Sequence, residues 1–126
     1  GNLEEAKLSM KSLISNVPYS NKKLASMDME ERYRLIISTI LNAIGCQVEV
    51  EHMLSTGRID IVASTSRFIY VVELKLTNNG GLNAAEKQII DNGYLKPFLA
   101  DGRKVIGLAV ELDDMGKGLI DWKEVK

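Results

Sequence analysis

The chain has 126 residues, 45% apolar and 26% charged, and 16 Lys and Arg against 17 Asp and Glu leave a net charge of −1. That length supports one hydrophobic core and not comfortably two. The balance excludes a protein that coats nucleic acid through bulk positive charge, because such affinity comes from phosphate neutralisation. One cysteine, Cys46, and one histidine, His52, exclude an internal disulfide and a Cys/His zinc cage.

Leu3 to Val17 reads as an amphipathic helix, with Leu3, Ala6, Met10, Leu13, Ile14 and Val17 at helical spacing. Pro18-Tyr19-Ser20-Asn21 ends it, and Ser20 to Ser26 reads as a polar loop. A second helix is predicted from about Met27 to Ile44, capped by Asp28 with Glu31 three residues on. Its apolar stripe is Tyr33, Ile36, Ile37, Ile40, Leu41 and Ile44, and Gly45 is placed to end it. Gln47 to His52 alternates Val48 and Val50 with Glu49 and Glu51, the signature of a half-buried strand. Turns at Ser55-Thr56-Gly57 and Ser64 to Arg67 bracket a strand from Arg58 to Ala63. Phe68 to Leu76 is apolar on both faces, as a central strand is. The short connections imply an antiparallel meander.

Thr77 to Gly81 reads as a flexible loop, followed by a helix from Leu82 to about Leu95 with Ala84, Ala85, Gln88, Ile89 and Leu95 inward. Pro97 and the Asp101-Gly102 turn close that segment. Lys104 to Leu112 is a second buried strand, expected to be parallel to Phe68 to Leu76 across the intervening helix. Leu119 to Val125 is a last short strand after the Asp113 to Gly116 turn. No apolar run approaches the ~20 residues of a membrane helix. No secretory signal is visible in the first residues. The single cysteine points to a cytoplasmic compartment, and no membrane partner is expected. The chain begins on Gly1 rather than Met, and a piece of a longer protein is expected.

Side chains alternate along a strand, so Glu73 and Lys75 share one face of the central strand and Leu74 takes the other. An unpaired charge in so apolar a strand is expensive. A plain Glu–Lys pair would answer that cost, and so would a metal ion with a charged substrate. Asp60 lies in the preceding strand, flanked by Ile59 and Ile61, which are expected to face away from it. If the two strands pair, Asp60 and Glu73 lie side by side. Two adjacent carboxylates repel unless a cation neutralises them. Oxygen ligands with open positions suit Mg²⁺ or Mn²⁺. Such an ion can activate water and stabilise a phosphoryl transition state, with Lys75 polarising the nucleophile or holding a phosphate oxygen. Arg58 is expected to pair with Glu49 or Glu51, and His52 to be an ordinary strand-end residue.

Gly57-Arg58-Ile59-Asp60, a short turn and then Glu73-Leu74-Lys75 resemble the PD-(D/E)XK nuclease superfamily. In that resemblance Asp60 stands for the motif aspartate, Glu73 for the (D/E) position and Lys75 for the lysine, while Ile59 replaces the proline. Val17-Pro18-Tyr19, Glu30 with Tyr33, Gly45, Ala84 with Gln88-Ile89, Tyr94 and Lys104-Val105-Ile106-Gly107 extend the similarity along nearly the whole chain. Together they resemble the nuclease-type domain found at the C-terminus of bacterial proteins whose N-terminal part is an AAA-type ATPase-like domain. The resemblance implies an α/β fold with a restriction-endonuclease-like α-β-β-β-α-β core and a mixed central sheet. It divides the chain into an N-terminal helix and linker (1–20) and a nuclease-like domain (21–126). It implies Asp60, Glu73 and Glu30 as metal ligands, Glu30 being an auxiliary ligand or base, with Lys75 as the catalytic lysine and Gln88 as a positioning residue. The implied cofactor is Mg²⁺ or Mn²⁺, and the implied partners are nucleic acid, DNA first, and the ATPase-like part. The alternative is a catalytically silent module that binds nucleic acid or protein. The Leu3/Met10/Ile14 stripe also permits packing on a second copy.

Overall fold

The structure, a computed structural model, describes residues 3–15 and 28–125. Among the described residues two helices come first, α1 (Leu3–Ser15) and α2 (Met29–Ala43). Three strands follow, β1 (Gln47–Leu54), β2 (Gly57–Ser64) and β3 (Phe68–Leu76). A 3₁₀ turn at Thr77–Asn79 leads into α3 (Gly81–Asp91), and a 3₁₀ segment at Lys96–Asp101 leads into β4 (Lys104–Leu112) and β5 (Leu119–Val125). The helix end at Val17, the Pro18 to Asn21 turn and the polar stretch to Ser26 lie outside the described residues.

The caps explain where the helices begin and end. Asp28 Oδ1 accepts the Glu31 N–H at 2.8 Å and so satisfies one of the free donors of the first turn of α2. At the other end Gly45 takes a left-handed conformation, φ 104°. There the Cys46 N–H reaches Leu41 O and the Gly45 N–H reaches Asn42 O, the paired bonds of a glycine-terminated helix. Ile44 therefore falls beyond the last turn and is 68% exposed, so it does not belong to the inward stripe. α3 stops by the same device at Asn92-Gly93, where the Tyr94 N–H bonds to Ile89 O and the Gly93 N–H to Ile90 O. It is shorter than the predicted Leu82 to Leu95 for that reason.

The sheet runs β1-β2-β3-β4-β5, antiparallel except for the β3–β4 pair. The α3 crossover makes that pair parallel, as the intervening helix requires. Period-two alternation then sorts the core. Val72, Leu74 and Leu76 of β3 join Tyr33 and Ile37 of α2 and Met10 and Ile14 of α1 on one face. Ile69 and Val71 join Ala85 and Ile89 of α3 on the other. Leu13, expected in the α1 stripe, is exposed instead. Val48 of β1 packs on the core, but Val50 is exposed on this edge strand, and Glu51 after it takes a left-handed φ of 54°. From α2 to β4 the order is α-β-β-β-α-β, with α1 and β5 added outside it. No helix among the described residues is long and apolar enough to cross a membrane.

The segment from Thr77 to Gly81, expected to be a slack loop, is a bonded turn. Asn78 N–H donates to Asp114 Oδ1 at 2.9 Å, and the Thr77 hydroxyl donates to Glu111 Oε2 at 2.7 Å. Gly81 is left-handed, φ 57°, and a Cβ there would lie 2.5 Å from Glu111 Oε1. The same carboxylate accepts the Leu82 N–H at 3.2 Å, so Glu111 of β4 pins the start of α3.

Candidate active site

β2 and β3 pair from Ser64↔Ile69 up to Ile61↔Val72. The next step of that register would join Asp60 to Glu73, and there the backbone ladder stops. Side chains replace it. The Asp60 N–H donates to Glu73 Oε1 at 3.3 Å, and the Leu74 N–H donates to Asp60 Oδ2 at 2.8 Å. Each strand thus satisfies the other with a carboxylate, where two backbone donors would otherwise be buried without partners.

Strand alternation fails at the same step. Ile59 and Ile61 are both fully buried, but Ile59 packs beneath α3 and Ile61 beneath α2. The expectation that both turn away from Asp60 on one face is therefore corrected. The β2 backbone rotates at Asp60 as it leaves β3, and the Asp60 carboxylate comes to lie between the sheet and α2. Glu73 keeps the regular alternation of β3 and is 2% exposed.

The two carboxylates are electrostatically strained. Burial and the adjacent Asp60 charge push the Glu73 carboxyl up to about 8 from its ordinary 4.5, against the Asp60 N–H and the charge of Lys75. Burial, aided by the charge of Glu30, raises Asp60, while the Leu74 N–H and Arg34 act in the opposite sense. The pair titrates as a unit.

The remaining predicted residues are placed as follows. Lys75 is half-buried, two positions beyond Glu73, and lies beside Glu111 in the β3–β4 register. It acts on Glu73 through its charge, and among the described residues it forms no hydrogen bond or close ion pair. Glu30, half-buried on α2, accepts a bond from Asn79 Nδ2 at 3.2 Å and reaches Asp60 by charge rather than by contact. Gln88 donates to the Tyr94 hydroxyl at 3.2 Å. That hydroxyl also accepts from Asn92 and donates to Arg58 O, so Gln88 supports the start of β2 through Tyr94. Arg58 pairs with Glu51 at 3.6 Å, as its sequence position implies. His52 pairs with Glu49 and stands against the Phe98 ring.

Sequence reasoning missed Arg34. Its guanidinium Nη1 is 3.9 Å from Asp60 Oδ1, and its Nη2 is 2.6 Å from Glu51 Oε1. The signal available was its spacing, one helical turn after Glu30. Glu111 was also missed, because its anchoring role depends on the β3–β4 register.

Residues 28–122, more than half of the chain, match the family model of the PD-(D/E)XK nuclease superfamily. The chain belongs to the PD-(D/E)XK nuclease superfamily. No curated protein matches it. Superfamily members generally use divalent metals, and the donor set here fits such an ion. Two hard oxygen ligands adjoin where β2 and β3 part; burial raises both, and the Asp60 charge raises Glu73 further, a cost that a cation would relieve. Among the described residues no group of three or more His, Cys, Asp and Glu side chains gathers at metal-ligand spacing. Asp60 and Glu73 would hold the ion, and water and substrate oxygens would complete its shell, as Mg²⁺ accepts.

Proposed function

We propose that this domain is a Mg²⁺- or Mn²⁺-dependent nuclease that hydrolyses phosphodiester bonds of nucleic acid, DNA first. The observation that carries the reading is the crossed pair of carboxylates, Asp60 and Glu73, at the point where β2 and β3 part, with Lys75 two residues on. A divalent ion bound there supplies charge neutralisation and Lewis acidity toward a phosphate ester. Asp60 and Glu73 hold it, their orientation fixed by the Leu74 and Asp60 amides. Lys75, which forms no hydrogen bond or close ion pair among the described residues, is available to a phosphate oxygen or the attacking water. Glu30 serves as auxiliary ligand or base after exchanging its bond to Asn79, and Gln88 positions the site through Tyr94. The ATPase-like N-terminal part, a cytoplasmic setting and homo-oligomerisation belong to the same proposal.

The test is Mn²⁺-dependent cleavage of a panel of DNA and RNA substrates. Cleavage abolished by Glu73→Ala and by Lys75→Ala supports the enzyme. Two observations favour a second reading, a silent binding module: Arg34 stands at Asp60, and Glu30 is engaged by Asn79. A chain that binds no divalent ion and leaves the whole panel intact decides for the module.

A further inference from the structure

Arg34 stands one turn after Glu30 on α2, so both side chains leave the same face of the helix. Its side chain is 14% exposed, and that of Asp60 is 16% exposed. Asp60 uses Oδ2 to accept the Leu74 N–H, which leaves Oδ1 directed at the guanidinium 3.9 Å away. Glu51 holds that guanidinium from the strand side at 2.6 Å. Glu51 also occupies a special backbone position. Val50↔Ile61 and His52↔Ile59 are paired, so Glu51 falls opposite Asp60 at the step between them. Its φ of 54° is the one left-handed value among the described non-glycine residues. A side chain other than glycine adopts that conformation at a cost, and here it turns a carboxylate toward Arg34. Glu51 also binds Arg58, so Arg34 lies within a charge cluster made of Glu30, Glu51, Arg58 and Asp60.

A guanidinium is permanently charged, and its planar fork spans two carboxylates at once. We propose that Arg34 is the resident counter-ion of Asp60 in the metal-free protein, and that it competes with the divalent ion for Asp60 Oδ1. The second half of this inference rests on the metal reading given above, and the first half does not. A divalent ion approaching Oδ1 meets a positive charge 3.9 Å from the same oxygen. Arg34 therefore orders the carboxylate site and lowers its affinity for the ion. It is a positioning residue, distinct in role from Lys75.

Two measurements on the full 126-residue chain test this. The first is a double-mutant cycle in thermal unfolding with chelator present, using Arg34→Gln and Asp60→Asn. An asparagine at that position still accepts the Leu74 N–H, so the cycle isolates the charge pair. Arg34→Gln lowers the melting temperature of the parent, and by less in the Asp60→Asn background, where its bond to Glu51 is the part still lost. Equal losses in both backgrounds overturn the counter-ion role. The second is Mn²⁺ titration by calorimetry. Arg34→Gln binds Mn²⁺ roughly tenfold more tightly than the parent, the scale expected for removing a like charge at this separation. Arg34→Lys falls between the two. A residue that merely supported the fold would weaken Mn²⁺ binding when replaced, so unchanged or weaker binding overturns the competition. If Arg34→Gln does not fold, Arg34→Lys carries both measurements, with smaller shifts of the same sign. If neither parent nor variant binds Mn²⁺, the metal reading fails and the competition with it. The cycle, run without metal, still decides the counter-ion role.

Discussion

Glu73→Gln preserves the shape of a side chain that is 2% exposed and removes its charge. In the metal-free protein the Glu73 carboxyl stands at about 8, against an ordinary 4.5. An acid with a higher pKa folded than unfolded holds more protons in the folded state. Its contribution to stability is therefore greatest below the unfolded value and is lost as pH rises through the window from 4.5 to about 8. At about 1.36 kcal/mol for each pKa unit, the whole shift corresponds to ~5 kcal/mol. Asp60 is raised as well, so the loss belongs to the pair. Glutamine cannot ionise, and its carbonyl still accepts the Asp60 N–H. The assay is urea unfolding followed by the fluorescence of Trp122, with chelator present, from below the window to above it. The parent should lose at least ~2 kcal/mol across the window, and Glu73→Gln should vary by less than ~1 kcal/mol. Parallel curves for the two proteins would refute a buried, raised carboxyl at this position.

Mg²⁺ in excess should raise the melting temperature of the parent more at alkaline than at acid pH, because protons and metal compete for the same oxygens. An equal effect at both extremes would contradict binding at the carboxylate pair. Tyr94→Phe leaves Gln88, Asn92 and Arg58 O without the hydroxyl they share, and should cost ~1–3 kcal/mol in chemical denaturation. Gly81→Ala forces a Cβ against Glu111 in a left-handed backbone, and should cost ~1–3 kcal/mol, detectable as a lower melting temperature. Ile14→Ala should cost ~2–4 kcal/mol in urea unfolding, because Ile14 is part of the core beneath α1. Unchanged stability would instead place α1 outside the cooperative unit and support the division at residue 20.

Much of the fold was legible locally. The bounds of β3, β4 and β5 coincide with those predicted: nearly continuous apolar runs mark β3 and β4 as buried on both faces, and the Asp113 to Gly116 turn sets off the partly exposed β5. Asp28 caps α2 as its spacing to Glu31 implies. Asn92-Gly93 carried a stop signal for α3 that Pro97 concealed, since a proline further on also ends a helix. Within the site, the shared face of Glu73 and Lys75 follows from alternation alone, and their pairing with Asp60 required the family pattern.

What the sequence by itself determined is the set of elements, their order and the charged face of β3, all consequences of periodicities only two to four residues long. What only the tertiary structure decided is which charges meet. The crossed bonds of Asp60 and Glu73 depend on where β2 and β3 separate, and the rotation at Asp60 splits Ile59 from Ile61. Arg34 reaches Asp60 because α2 packs over that gap and Glu51 turns left-handed opposite it. Register, strand separation and helix docking are set by distant packing, and no local pattern of side chains encodes them. Asp60 and Glu73 adjoin one another only because the whole sheet closes around them.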